Sequence, residues 1–131
     1  MRPLFIRINP ESETAIFLQL IFEIKRLVVI GELEQGDELP SVRSLSGDLG
    51  INMHTVNKSY KLLTEEGILE KTTKGFRVGS AEQRHLSGER EQDFDERLRQ
   101  ILIDAAVFNV TYEGFSQKQA KLTEEIMRGD N

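Results

Sequence analysis

The sequence contains no cysteine, and this absence excludes disulfide bonds, thiolate metal sites and a cysteine nucleophile together. It also lacks a long hydrophobic run. The most apolar stretch, residues 15–30, is interrupted by four polar or charged side chains, so we expect that it does not span a bilayer unaided. The first residues show no apolar stretch ahead of a small-residue cleavage site, and no signal peptide is expected.

A surplus of positive charge is missing as well. The net charge of −5 at first argues against a nucleic-acid partner, because neutralising phosphates requires lysine and arginine. The acidic residues are unevenly distributed, however. Residues 81–131 hold seven basic and eleven acidic side chains, whereas within residues 41–77 six basic side chains outnumber four acidic ones. The middle of the chain is therefore weakly basic and the tail is acidic.

The length of 131 residues suffices for one compact domain with a small appendage. The alternation in residues 4–8 predicts a short strand at the start. A helix is then predicted from about Thr14 to a stop at Gly31, because apolar residues recur at steps of three and four. Those residues are Phe17, Leu20, Ile21, Ile24, Leu27 and Val28.

Two further helices and a hairpin are predicted in close succession. Ser41 is a good N-cap, because its hydroxyl can accept a backbone N–H of the first turn, and the helix that it starts is expected to end at Gly50. The next helix begins near Asn52 and ends at Gly67, where glycine supplies a left-handed cap. Residues 68–78 then give two short strands around a tight turn. The predicted fold is mainly α with a small β wing, a winged helix-turn-helix.

The polar segment after Gly79 predicts a domain boundary that separates residues 1–79 from residues 80–131. The first helix of the tail has apolar residues spaced 4, 3, 4 and 3, which is typical of a helix that packs along another helix. These residues are Phe94, Leu98, Ile101, Ala105 and Phe108. A last helix is predicted over residues 116–127. The tail has too few apolar residues for a monomeric core, so we expect self-association into a homodimer through a helical dimerisation region.

Two alternatives stay open for the tail at this point. Its first helix either begins near Gly88 or continues unbroken from the hairpin. The apolar stripe either forms the dimer interface or lines a pocket for a small-molecule effector, although an interface is the usual role of apolar residues at this spacing. The acidic cluster of Asp93, Asp95 and Glu96 is interpreted as a solvated helix face.

The closely spaced second and third helices carry the functional prediction. In a helix-turn-helix the second helix enters the major groove with its N-terminal residues facing base edges, and the first crosses the backbone. The candidate groove-facing residues are Asn52, Met53, His54, Thr55, Asn57 and Lys58. Asparagine can bond adenine through two hydrogen bonds, and a threonine methyl can contact thymine. Candidates for phosphate or minor-groove contacts are Ser41, Arg43, Lys74 and Gly75.

The same segment carries a resemblance to a known family. The informative runs are Gly36 to Leu45, which contains Leu-Pro-Ser-x-Arg, then Leu49 to Asn52 with Thr55-Val56, and Glu66-Gly67-Ile68-Leu69. Over about residues 3–78 the chain resembles the GntR family of bacterial transcription regulators. Its short acidic tail is similar to that of the YtrA-type subgroup.

The resemblance implies a homodimer that acts mostly as a repressor by occupying a palindromic operator. By the same resemblance, Ser41 and Arg43 would contact the DNA backbone, and Gly75 would lie at the wing tip. Asn52, His54 and Thr55 would face the DNA groove. Many relatives have arginine at the positions of Met53 and Asn57, and the turn of this wing is shorter than the usual glycine-flanked tip. Such a regulator would act in the cytoplasm.

Two other classes of function are alternatives to this one. A winged helix can serve as a protein-interaction module without specific DNA binding, and the acidic balance is consistent with that. The polar set at the start of the third helix favours DNA. An enzyme is not expected, because a nucleophile–base pair and a glycine-rich phosphate loop are missing. We expect no cofactor, and no metal site, because neither His54 nor His85 has a second ligand at suitable helical spacing.

Overall fold

The computed structural model describes residues 4–129, which form five α-helices, one two-stranded antiparallel sheet and one 3-10 turn. The elements are α1 (Ile16–Val29), α2 (Val42–Leu49), α3 (Met53–Glu65), β1 (Leu69–Lys71), β2 (Phe76–Val78), the 3-10 turn (Ala81–Gln83), α4 (Gly88–Val107) and α5 (Tyr112–Arg128). Two compact units are present, the first ending at Arg84 and the second beginning at His85. Within the described range, none of the helices is both long and apolar enough to cross a membrane.

The core of the first unit forms where α1 packs on α3. Leu20 and Ile24 of α1 and Val56 and Leu63 of α3 are fully buried, as the spacing of apolar residues predicts for α1. Burying a side chain of this size contributes about 1.5–3 kcal/mol relative to leaving it exposed. This core therefore fixes α3 in the unit and leaves its opposite face outside.

Both ends of α2 confirm the predicted capping residues. Ser41 accepts a hydrogen bond on its Oγ from the backbone N–H of Ser44 at 3.0 Å. Gly50 ends α2 in the left-handed conformation with φ +67°. The backbone N–H of Ile51 then donates to the carbonyl of Ser46, so the chain passes into α3 within a tight turn.

The wing contains one more extended segment than the sequence predicts. β1 and β2 pair antiparallel with Glu70 opposite Arg77, as expected for a hairpin. Residues 36–39 also pair with the free edge of β2, where the N–H of Leu39 donates to the carbonyl of Phe76 at 2.9 Å. β2 is thus hydrogen-bonded on both sides, and the connection between α1 and α2 anchors the wing.

The predicted strand at residues 4–8 is wrong, because this segment lies along α1 without pairing to a strand. Side chains of α1 take up its backbone groups. The N–H of Arg7 donates to Glu23 Oε2 at 3.0 Å, and the N–H of Asn9 donates to Gln19 Oε1 at 2.8 Å. Burial alone would raise the pKa of Glu23, but hydrogen bonds from Arg26 and from the Arg7 backbone, with the charges of both guanidinium groups, hold it below its ordinary value.

The first unit extends past the predicted boundary at residues 79–80, because the 3-10 turn packs against two glycines. A Cβ added to Gly67 would lie 2.6 Å from the carbonyl oxygen of Gln83, and one added to Gly79 would lie 2.9 Å from Gln83 Oε1. The Gln83 carbonyl therefore lies closer to Gly67 than a side chain at position 67 would allow, whereas the contact at Gly79 is made by the flexible end of the Gln83 side chain.

The second unit consists of two helices joined by a tight turn. α4 begins at Gly88, so it does not continue from the hairpin. At its end Asn109 adopts φ +59° and the N–H of Val110 donates to the carbonyl of Ala105 at 2.8 Å, a Schellman motif that satisfies the last carbonyls. Thr111 caps α5, which starts four residues before the predicted Ser116. Neither α4 nor α5 has a buried residue.

Candidate nucleic-acid interface

The exposed face of α3 lies opposite the face that packs into the first unit. Val56, Ser59, Tyr60 and Leu63 point into the unit and are fully buried. With 3.6 residues per turn, the residues opposite them are His54, Lys58 and Lys61 and, at the end of the helix, Glu65, and all four are exposed. Two lysines and a histidine thus form one line along the solvent side of the helix. Lys61 was not among the predicted site residues. It could have been identified from the sequence, because residues seven apart, such as His54 and Lys61, lie on the same face of a helix.

The two candidate asparagines have different surroundings. Asn52 is the N-cap of α3, and its Oδ1 accepts a hydrogen bond from the N–H of His54 at 2.7 Å. This capping bond restricts the orientation of the Asn52 side chain, while its NH2 group and the second lone pair of Oδ1 are still available to a base. Asn57 is exposed one turn further on, and among the described residues its side chain has no hydrogen-bond partner. Asn57 is not held by such a bond, so its amide is freer to turn towards a base.

The remaining groove candidates differ in exposure. Met53 is 46% exposed in the first turn of α3, so its thioether can contact an apolar base edge such as the thymine methyl. Thr55 is half-buried on the side that faces α1, and less of it is accessible. Lys58 has its ammonium 3.7 Å from the centre of the Phe17 ring on α1.

The start of α2 presents a hydroxyl and a guanidinium group. The Oγ of Ser41 accepts the capping hydrogen bond, and its hydroxyl proton is still available to donate to a phosphate. Arg43 is exposed in the first turn. Its carbonyl accepts from the Ser46 hydroxyl at 2.9 Å, so the backbone is fixed while the long side chain extends to solvent.

Tyr60 joins the three parts of the candidate interface. Its hydroxyl donates to the carbonyl of Pro40 at 2.8 Å, directly before the cap of α2. Its ring makes an edge-to-face contact with Phe76 of the wing, with centroids 5.0 Å apart. Burial raises the pKa of Tyr60 well above its ordinary value, so the hydroxyl stays protonated as a donor. Tyr60 was not among the predicted site residues. The sequence does offer an indication, because a tyrosine on the buried face of a helix usually needs a hydrogen-bond partner for its hydroxyl.

The wing turn is held by its own hydrogen bonds. Thr72 Oγ1 accepts from the N–H groups of Lys74 and Gly75 at 3.2 and 3.1 Å. The Gly75 amide is therefore used within the turn, and glycine contributes shape at the tip, whereas the Lys74 side chain is exposed. Arg77 is ion-paired with Glu70 at 3.0 Å, which neutralises it on the wing surface.

The predicted dimerisation residues lie in the second unit on an open helix face. Phe94, Leu98, Ile101 and Phe108 are 44%, 38%, 52% and 74% exposed, and Ala105 is half-buried. Side chains of this kind contribute to stability only when they are removed from water. The spacing thus brings four large apolar residues to one exposed side of α4.

Comparison with known proteins places the first unit in a family. Residues 18–78 match the family model described as bacterial regulatory proteins, gntR family. The chain is 33% identical over 125 residues to the HTH-type transcriptional repressor YtrA of Bacillus subtilis, and the match covers 95% of this chain and 96% of that protein. These relatives are transcription regulators rather than enzymes.

Solved structures agree with the sequence relatives. YtrA from Sulfolobus acidocaldarius, a GntR-family transcription factor, is 37% identical with a TM-score of 0.60, covering 78% of this chain and 97% of that one. A transcriptional antiterminator from Listeria monocytogenes has a TM-score of 0.85 at 23% identity, covers 94% of this chain and 92% of that one, and shows the fold alone. The chain therefore belongs to the GntR family of DNA-binding bacterial transcription regulators, and its similarity to YtrA extends over nearly its whole length.

Proposed function

We propose that this chain represses transcription in the cytoplasm by binding a palindromic operator as a homodimer, with α3 of each copy in the major groove. The observation that carries the proposal is the line of His54, Lys58 and Lys61 opposite the fully buried face of α3. A buried inner face orients the helix, and an exposed polar outer face is what a recognition helix requires. The description of the Bacillus relative as a repressor supports the sign of regulation.

Within this proposal the exposed side chains divide into two groups. Ser41, Arg43, Lys58 and Lys74 contact phosphates and set the position of the protein on the duplex. Met53, His54, Thr55, Asn57 and the amide of Asn52 read the groove. Gly75 keeps the turn of the wing short enough for the wing to lie along the DNA backbone.

Dimerisation is assigned to the second unit and DNA binding to the first. A helix that exposes four large apolar residues at heptad spacing gains stability by packing along an identical helix. A small-molecule pocket fits the same face less well, because such sites bury most of the ligand in a concave surface. These side chains instead stand individually exposed along a helix, so a second copy is the better occupant.

The proposal is tested by selecting and sequencing duplexes that the full chain binds from a random DNA library at a stated salt concentration. We expect enrichment of an inverted repeat whose half-sites are about 10 base pairs apart or a multiple of that spacing. Binding no tighter than to bulk DNA by a folded protein would contradict the proposal. It would favour a winged-helix module that binds another protein.

Two substitutions then separate the proposed roles on the selected duplex. Arg43→Ala is expected to weaken binding to all sequences alike, because a phosphate contact carries no base information. Asn57→Ala is expected to cost about 1–3 kcal/mol on the selected sequence only, and so to relax base preference. If both variants bind and discriminate like the wild type, the assignment of these residues is wrong.

A further inference from the structure

The contact between α1 and α3 contains a lysine placed on an aromatic ring. Lys58 lies on the outer line of α3, and its Nζ is 3.7 Å from the centre of the half-buried Phe17 ring. An ammonium group within about 6 Å of a ring face is attracted by the negative charge density of that face. At 3.7 Å the ammonium touches the ring, so one side of it is covered and the other faces solvent.

The backbone of Phe17, which carries the ring, is bound by the residue next to Lys58. Ser59 is fully buried, and its hydroxyl donates to the backbone carbonyl of Phe17 at 2.8 Å. The same hydroxyl lies 3.2 Å from the carbonyl of Thr55. The backbone of Phe17 is therefore tied to α3 at the level of Lys58, which keeps the base of the ring close to the lysine.

A second lysine shows what distinguishes this contact. Lys25 lies 5.3 Å from the centre of the Phe22 ring, but its Nζ is also 3.1 Å from Glu66 Oε1. The carboxylate neutralises that lysine, whereas no ion pair of Lys58 is present among residues 4–129. A ring attracts a cation without cancelling its charge, so Lys58 is held in place while it stays able to bind an anion.

We infer that Phe17 is a positioning residue for DNA binding, because its ring holds the Lys58 ammonium in the place where it meets a backbone phosphate. The inference rests on the proposed function. A free lysine side chain loses much of its rotamer freedom when it binds, and a side chain that is already ordered loses less. The ring thus raises affinity without touching DNA.

The test compares variants on the duplex obtained by selection, with fluorescence anisotropy at several salt concentrations. Phe17→Leu keeps an apolar side chain and removes the ring, and Phe17→Tyr keeps the ring face. Lys58→Met removes the charge. Phe22→Leu is the matched control, since it removes a ring from the lysine that is already neutralised. Phe17→Met replaces Phe17→Leu if that variant does not fold by circular dichroism.

We expect Phe17→Leu to weaken binding two- to fivefold and to leave the salt dependence unchanged, because Lys58 still reaches the phosphate. Lys58→Met is expected to reduce the slope of log K against log salt by about one. In the Lys58→Met background Phe17→Leu is expected to have no further effect. In the otherwise unchanged chain Phe17→Tyr is expected to keep the wild-type affinity, because it keeps the ring face, and Phe22→Leu is expected to bind like the wild type. A merely structural role for Phe17 predicts the same loss with and without Lys58, and that result would overturn the inference.

Failure of the proposed function gives a different result. In that case the wild type itself binds no duplex better than bulk DNA, and no comparison of variants is needed. The contact is then checked without DNA by the NMR shift of the Lys58 ε-protons, which the ring current moves upfield in the wild type and not in Phe17→Leu. Equal shifts in the two proteins would refute the contact itself.

Discussion

Replacing Gly67 by alanine is expected to destabilise the first unit more than the same replacement at Gly50. Both glycines adopt positive φ, +78° at Gly67 and +67° at Gly50, and an alanine in this conformation costs about 1–2 kcal/mol. Nothing lies within 4 Å of a Cβ added to Gly50. A Cβ added to Gly67 would be 2.6 Å from the carbonyl oxygen of Gln83, so the backbone of the 3-10 turn has to move.

The second cost can be estimated from overpacking in other proteins. Forcing an extra methyl group into an occupied space costs about 1–3 kcal/mol when the neighbours have to shift. Gly67→Ala is therefore expected to lower the free energy of unfolding by about 2–5 kcal/mol, and Gly50→Ala by about 1–2 kcal/mol. The difference between the variants isolates the contact with the 3-10 turn.

Urea unfolding followed by tyrosine fluorescence measures both variants at equal protein concentration. The chain has no tryptophan and two tyrosines. Tyr60 is fully buried in the first unit, whereas Tyr112 is 87% exposed, so the change in emission reports mainly the first unit. Equal destabilisation of the two variants would refute the reasoning, because it would mean that residues 81–83 do not pack on Gly67.

Three further outcomes are expected. Glu23→Gln should lower the free energy of unfolding by about 1 kcal/mol at pH 7. The folded pKa of Glu23 lies below its ordinary 4.5, so the stabilisation is present above pH 4.5 and lost as pH falls through the folded pKa, and the wild type and the variant should converge on the acid side of pH 4.5 in acid-unfolding curves. Tyr60→Phe should cost about 1–3 kcal/mol by leaving the Pro40 carbonyl unpaired, measured by thermal unfolding, whereas the exposed Tyr112→Phe should cost nothing measurable. Light scattering should give the wild type twice the chain mass of 15.0 kDa and Ile101→Asp the single mass, with Ile103→Asp, on the opposite side of α4, as the control; a monomeric wild type would contradict the proposed dimer.

Local sequence signals predicted most of the first unit. Apolar spacing located α1, and Ser41 and Gly50 marked the ends of α2, because capping depends on residues only three or four apart. The alternation of residues 4–8 predicted a strand that the chain does not form. The outcome there is decided by Gln19 and Glu23, which bond to backbone N–H groups ten and sixteen residues away. Such tertiary contacts are not encoded in a local pattern.

The sequence predicted which residues of the candidate interface are exposed, but not which atoms their side chains contact. Placing α3 at residues 52–66 sufficed to identify the exposed polar residues of its first turns. The capping bond of Asn52 to His54 and the ring beneath Lys58 depend on side-chain conformation and on a helix forty residues earlier. The bond from Tyr60 to the Pro40 carbonyl likewise forms only when α2 and α3 are packed together.

The most direct test of a dimeric repressor is hydroxyl-radical footprinting of the full chain on its selected duplex. Two related copies that each place α3 in a major groove should protect two patches of backbone on one face, with centres about 10 base pairs or a multiple apart. The proposed geometry predicts two patches of equal strength that appear together as protein is added. A single patch, or two that fill independently, would contradict binding as a homodimer.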